Sequence, residues 1–401
     1  MKTKSTLFLI LAALGALIGL IFSYFSTADF AKHLDRQIHT INCSLLPGIE
    51  ETGLAEESGC RTAMMSEYSS LWREKYWGGL PVSLPSVGIF LFALVTALWA
   101  LLFKRGGEKS AGLALAVTGL ITVGASIFFF FVSMEKLQVL CKVCAGIYLG
   151  SVILFVGGLL TLIGSFKRDE GEPEGGTIWK FPLLLVQLAL FTFLPVYVYT
   201  KSLPDYDKYV LGCGDLKQAE DKYNVFLPIK GDGSKDAVFI IDPLCPACKV
   251  FHARLKALPE YSDLKAKILL LPLDKECNWM LSDSLHPGAC FLSKALLCAK
   301  ENASQVLDFI YDNQEEFRVT ATGDINKVRS RVFEKFPGLN ECVDSKQTKI
   351  LMNNVLHHAV KLSLPLLTPQ LYIDGKRLCD EDTDLGLKYA LKKIFENKRE
   401  K

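Results

Sequence analysis

The sequence predicts a polytopic bundle of membrane-spanning α-helices joined to a water-soluble α/β domain. Three observations predict it. Five apolar runs each reach the roughly 20 residues a helix needs to cross a bilayer, the composition turns globular near Asp205, and each half carries one Cys-x-x-Cys pair, Cys141/Cys144 and Cys245/Cys248. Half of the 401 residues are hydrophobic, too many for an ordinary soluble protein, and the length exceeds one domain. A formal net charge of +2 leaves no general basic surface, which argues against nucleic acid as a partner. Twelve cysteines are unusual in a reducing compartment unless they turn over or bind metal, so the soluble half is expected outside the cytoplasm.

The runs lie near Thr6 to Ser26, Leu84 to Phe103, Ala111 to Val132, Ala145 to Phe166 and Phe181 to Thr200. Lys2 and Lys4 before the first run fit a signal peptide, but no convincing small-x-small cleavage site follows, so an uncleaved anchor is expected. Lys2, Lys4, Lys104, Arg105, Lys109, Lys167 and Arg168 sit beside span ends on one side, which the positive-inside rule makes cytoplasmic. The opposing loop from Thr27 to Pro81 also holds Lys32, Arg36, Arg61, Arg73 and Lys75, so the bias is one of density near the ends. Five crossings of the plasma (bacterial inner) membrane then put the N-terminus inside and the C-terminal half outside. The acidic, Gly/Pro-containing DEGEPEGG stretch reads as a solvated connector between the fourth and fifth spans. The expected division is a four-helix core over residues 1–166, a loop and linking span over 167–204, and a soluble domain over 205–401.

In the soluble half, AVFIID reads as a buried strand and LCPACKVFHARLKAL as a turn into an amphipathic helix. Cys245 falls in the first turn, where the helix N-terminus favours thiolate, and Cys248 one turn further in is placed to resolve a mixed disulfide. A second strand, ILLLPL, precedes a helical stretch from about Ala289 to Phe317. LLTPQLYIDGKR then supplies Thr368-Pro369, a strand and a turn before a final helix. A lone Cys-x-x-Cys is also half of a zinc site, but no second close pair or His-x-x-x-His accompanies it, and no metal is expected. Cys213, Cys277, Cys290, Cys298, Cys342 and Cys379 read as structural bridges, with Cys277 and Cys290 a natural pair across one loop; six cysteines allow fifteen pairings.

Cys144 and Tyr148 are four apart, so one face of the fourth span directs a thiol and a phenol into one pocket; a tyrosine of the aromatic belt is the alternative. Cys43 and Cys60, in the outer loop, fit either a shuttling disulfide or a static bridge closing the loop.

Two resemblances follow. DPLCPACKVFH with TPQLYIDGK, over about residues 208–401, resembles the thioredoxin fold in its DsbA-like form with a helical insertion. It implies that Pro369 is cis and that Thr368 and Pro369 belong to a substrate groove facing the dithiol. The loop pair Cys43 and Cys60, SEYSSLW, GGLPVSLPSVG and CKVCAGIY, over about residues 7–165, resemble the vitamin K epoxide reductase family, in particular its bacterial members fused to a thioredoxin-like domain. This resemblance implies a four-helix bundle holding a quinone of the ubiquinone or menaquinone class. Cys144 would contact the quinone, Cys141 would exchange with the loop, and Tyr148 would line the pocket. The loop serine that follows the second loop cysteine in the family matches Ser66 by spacing, with Ser70 of SSLW the competing match.

The function expected on these grounds is a thiol:quinone oxidoreductase. Electrons from reduced secreted or periplasmic proteins, or from a soluble thiol carrier, would enter at Cys245/Cys248 and pass through Cys43/Cys60 to Cys141/Cys144 and a membrane quinone. The alternatives are a quinone or quinone-epoxide reductase drawing on thiol reductants, a tethered thiol reductase or isomerase, and a membrane-anchored binding or chaperone module. A reductant importer would need cysteines reachable from the cytoplasm, and the expected topology provides none.

Overall fold

The structure is a computed structural model and describes residues 2–33, 63–103, 108–137, 140–166, 177–217 and 220–396. Cys43 and Cys60 lie outside the described residues. The chain divides into two compact units, Met1–Asp205 and Tyr206–Lys401.

Among its described residues the first unit has five helices long and apolar enough to cross a membrane. They are α1 (Lys2–His33), α2 (Ser83–Leu102), α3 (Glu108–Phe131), α4 (Lys142–Phe166) and α5 (Thr177–Ser202). Helix α4 packs along α1 and α3, and α1 also packs on α2. Small residues make this closeness possible: a Cβ on Gly15 would lie 2.3 Å from the Leu154 amide nitrogen, and one on Gly150 2.5 Å from that of Gly19. In lipid, where burial of apolar side chains gives helices little reason to associate, such backbone approach supplies the packing energy. Helix α5 packs mainly on α2 and leaves its most apolar stretch unburied, so it stands outside the four-helix core. Helix α1 continues past the end of its apolar run at Ser26 because Asp29 and Phe30 still face the interior of the unit. Helix α3 ends in a π-helical turn, Val132–Leu137. A hairpin of β1 (Ser70–Leu71) and β2 (Leu80–Pro81), not expected from the sequence, is braced by Arg73 Nε donating to Ser70 Oγ at 2.7 Å.

The second unit is built on a five-stranded sheet of order β3-β5-β4-β6-β7. Its strands are β3 (Leu227–Lys230), β4 (Lys235–Ile241), β5 (Leu264–Leu270), β6 (Gln370–Ile373) and β7 (Lys376–Arg377). Strands β4 and β5 are parallel and joined through α6 (Pro246–Lys256); β6 runs antiparallel to β4 and forms a hairpin with β7. All but one residue of β4 is buried, because helices cover both faces of a parallel core. Between β5 and β6 lie six helices, α7 (Ala289–Ala299), α8 (Ala303–Asp312), α9 (Gln314–Gly323), α10 (Ile325–Lys335), α11 (Asn340–Val343) and α12 (Lys346–Lys361), and α13 (Leu387–Glu396) closes the unit. A βαβ half, inserted helices and a ββα half make this a thioredoxin fold with a helical insertion. The helical stretch expected from about Ala289 to Phe317 is present as consecutive helices, interrupted at Lys300, where φ is +49°, and at Asn313.

Disulfides join Cys213 to Cys379, Cys277 to Cys290 and Cys298 to Cys342. Cys141, Cys144, Cys245 and Cys248 take no part in these three disulfides.

Candidate functional site

Each unit holds one dithiol. In the thioredoxin-fold unit, Cys245 caps the N-terminus of α6 and Pro246 occupies the first helical position, where a missing N–H costs nothing. Cys248 follows within the first turn at 1% exposure, and Cys245 retains 5%. The Thr368-Pro369 peptide bond is cis, and the Thr368 carbonyl accepts from Cys245 Sγ at 3.6 Å. Gln314 Nε2 donates to the carbonyls of Pro243 and Cys245, both at 3.0 Å, and so fixes the turn from the inserted helices.

The two thiols are chemically unequal. A hydrogen bond from the Cys248 thiol lowers the Cys245 pKa to about 6 against the opposing effect of burial, with Thr368 and the Cys248 amide adding to it. Burial, and then the neighbouring Cys245, push Cys248 well above the ordinary thiol range. Cys245 is therefore the thiol that ionises more readily, the property a nucleophile needs, and Cys248 the one held protonated. The helix N-terminus, which the sequence offers as the reason, acts here only as one amide beside a stronger thiol donor.

A buried acid and a histidine sit behind this turn, and sequence reasoning passed over both. Asp242 is fully buried; its Oδ1 accepts from the Leu244 amide at 2.7 Å, and its Oδ2 from the Leu273 amide at 2.7 Å and from His286 Nδ1 at 2.8 Å. Burial opposes charge on His286, but the hydrogen bond and the charge of Asp242 outweigh it and raise the pKa. His286 reaches Asp242 on a loop cross-linked by Cys277–Cys290 and gathered around Asp274, which accepts from Ser284 Oγ at 2.9 Å and the Gly288 amide at 2.9 Å. The only signal in the sequence was an acid three residues before Cys245.

In the membrane unit, Cys141 directly precedes α4, and its Sγ accepts the Cys144 amide N–H at 3.2 Å. Cys141, Cys144, Tyr148 and Ser66 all line one cavity of about 170 Å³ among the helices, together with Phe90, Ile121, Phe129 and the hydroxyls of Ser126 and Ser151. Ser126 Oγ donates to Ser151 Oγ at 3.1 Å. Tyr148 presents its ring edge-on to Phe130 with centroids 6.3 Å apart. Of the two competing serines, Ser66 borders this cavity; the hydroxyls of both donate to backbone carbonyls at 2.7 Å, Ser66 to Ala63 and Ser70 to Gly78. The structure thus brings together Cys141, Cys144, Tyr148 and Ser66 in one unit, and Cys245, Cys248, Thr368 and Pro369 in the other.

Residues 10–158 match the model of the vitamin K epoxide reductase family. No curated protein sequence matches the chain. Among solved structures, a thioredoxin-like oxidoreductase from Silicibacter pomeroyi matches at 15% identity and TM-score 0.28, covering 45% of this chain and 95% of its own. The oxidoreductase NmDsbA1 from N. meningitidis matches at 11% identity and TM-score 0.30, over 47% of this chain and 91% of its own. Wolbachia pipientis alpha-DsbA1 matches at 14% identity and TM-score 0.32, over 49% and 94%. The helical unit, with its dithiol opening onto an apolar cavity, is similar to the vitamin K epoxide reductase family over residues 10–158, and the same polypeptide carries a thioredoxin-fold unit with a second dithiol.

Proposed function

We propose that this membrane thiol oxidoreductase makes protein disulfides outside the cytoplasm and disposes of the electrons in a quinone. The observation that carries the reading is the lining of one membrane cavity by both thiols of Cys141/Cys144. Reduced proteins would be oxidised at Cys245/Cys248, which would pass electrons through Cys43/Cys60 to Cys141/Cys144. In every exchange a thiolate attacks a disulfide sulfur, one S–S bond forms, one breaks, and the electron pair leaves on the displaced sulfur.

The cavity suits a quinone, since its walls are largely apolar and aromatic while its polar atoms are thiols and hydroxyls able to meet ring oxygens. Tyr148 and Ser66 are the residues proposed to hold it, beside Cys144. A bound quinone supplies an acceptor for two electrons and two protons. Cys144 and Cys141 would give up their protons as their disulfide forms.

The test supplies purified full-length protein with a reduced, unfolded polypeptide and an added quinone, and follows quinone absorbance. Turnover with loss of substrate thiols is expected. Substrate oxidation that proceeds without any change in the quinone would end the proposal. The orientation is tested separately: a membrane-impermeant thiol reagent applied to intact cells after mild reduction should label Cys245, and labelling only after lysis would invert the topology.

A further inference from the structure

We propose that His286, held by Asp242, is the counter-charge of the Cys245 thiolate and thereby sets how strongly the Cys245/Cys248 pair oxidises other thiols. The two residues between the cysteines, Pro246 and Ala247, carry no ionisable group, so any balancing charge must come from elsewhere in the fold. Asp242 belongs to the same turn as the nucleophile, its carbonyl accepting the Cys245 amide at 3.1 Å. A buried carboxylate here works against a neighbouring thiolate unless a cation accompanies it. His286 is that cation: its Nδ1 is bonded to Asp242 Oδ2 at 2.8 Å, and it borders a recess with Leu244, the residue before Cys245.

The other groups facing the dithiol do not substitute for it. Burial keeps Cys248, Tyr311 and His252 uncharged near neutral pH, the last with its pKa lowered to about 4. From α9, Arg318 and Glu315 line the recess beside His286, and these two are paired with each other at 3.3 Å. Asp242 is a positioning residue in this scheme, since it acts through His286.

The consequence for exchange is direct. When a second substrate thiolate attacks the substrate sulfur of the mixed disulfide, the bond to Cys245 breaks and the electron pair remains on Cys245 Sγ, with no proton transfer needed because His286 already bears the charge. Stabilising that thiolate favours the reduced form and makes the disulfide the stronger oxidant. By linkage the effect is reciprocal, so the thiolate holds the proton on His286.

This inference rests on Cys245 being the attacking thiol of the proposed relay, but its readouts need no quinone and so fail separately from that relay. In full-length protein, the rate of Cys245 alkylation by iodoacetamide is followed against pH by peptide mass spectrometry, alongside the equilibrium of the Cys245/Cys248 pair with glutathione. His286→Gln should move the alkylation midpoint upward by about one pH unit, and shift the glutathione equilibrium toward the disulfide by about tenfold, the factor that one unit represents. His286→Lys, which returns a positive charge, should restore both. Unchanged values in folded His286→Gln, or a His286→Lys variant that behaves like it, overturn the proposal. If the variants do not fold, the unmutated protein decides: at pH 7 diethylpyrocarbonate, which attacks neutral imidazole, should modify His286 more slowly in the reduced than in the oxidised form, and equal rates overturn the assignment.

Discussion

The two dithiols of this chain share a local design and differ in what faces them. Both place the first cysteine at the threshold of a helix and the second within its first turn, so that Cys141 and Cys245 each stand next to helix N-terminal amides. Opposite Cys245 is backbone, the Thr368 carbonyl ahead of a cis proline. Around Cys141 and Cys144 is an apolar cavity with a phenol on its wall. An identical spacing of cysteines therefore says that a thiolate can form and be resolved, while the surroundings differ: backbone beside a cis proline in one case, an apolar cavity in the other, and under the proposed function these would receive an extended polypeptide and a quinone respectively.

The sharpest break in that comparison comes from the membrane side. Cys144→Ala should reduce quinone turnover to the rate without enzyme while Cys245 still reacts with a thiol reagent; full turnover in the variant would show that the two dithiols are not in series. In the same relay, Cys248→Ala should trap Cys245 in a mixed disulfide with Cys43, recoverable by peptide mapping after acid quench.

The thioredoxin-fold unit should respond to acid through a group near its dithiol. Burial lowers His252 to about 4, below its usual 6.5, so between these values the unfolded chain binds more protons and stability falls as pH falls through that window. The loss amounts to about 3 kcal/mol at most. Urea unfolding read by pulse proteolysis between pH 7 and 4 should show it, and His252→Phe should flatten that part of the slope.

The membrane unit should instead respond to volume. At Gly150 any side chain meets the Gly19 backbone, and Gly150→Val should destabilise the bundle by about 1–3 kcal/mol, as overpacking does, without altering the reactivity of Cys245. Thermal aggregation in detergent measures the first and alkylation the second. The smallest effect is expected for Tyr148→Phe, which keeps the edge-on contact with Phe130 but removes the hydroxyl. If that hydroxyl bonds the quinone, its loss should raise the quinone KM by about fivefold, the worth of roughly 1 kcal/mol of hydrogen bonding; an unchanged KM would leave Tyr148 a wall residue.

Legibility in the sequence followed the strength of local pattern. Apolar runs found five helices to within several residues at each end, and the apolar run AVFIID with the amphipathic stretch after CPAC found the strand-turn-helix that presents Cys245. Strand β3 was not legible because it is four residues long and contains Pro228, and the β1–β2 hairpin because each strand is only two residues. The spacing of Gly15 with Gly19 and of Gly146 with Gly150 was visible but was not used, although it marks where α1 and α4 touch. At the soluble dithiol, Cys245, Cys248, Thr368 and Pro369 were readable as motif. His286 was not, since 44 residues separate it from Asp242 and only the cross-linked loop brings the two together. In the membrane unit, spacing pointed to Ser66 and the SSLW motif to Ser70; both hydroxyls hold a backbone carbonyl, and what separates them is that Ser66 borders the cavity.

The disulfide from Cys213 to Cys379 spans 166 residues of chain and acts close to where the thioredoxin-fold unit begins. Nearby, Lys393 holds Asp207 at 2.9 Å, and Asp215 forms an isolated bridge with Lys376 of the edge strand β7. Together these make a strain relief of the kind fitted where a cable enters its housing. The entry of the chain from α5 is fastened by the sulfur bond, the edge strand and the last helix. Edge strand β7 lies two strands away from β4, the strand that leads into the turn presenting Cys245, so the fastening and the thiol are on separate parts of the sheet.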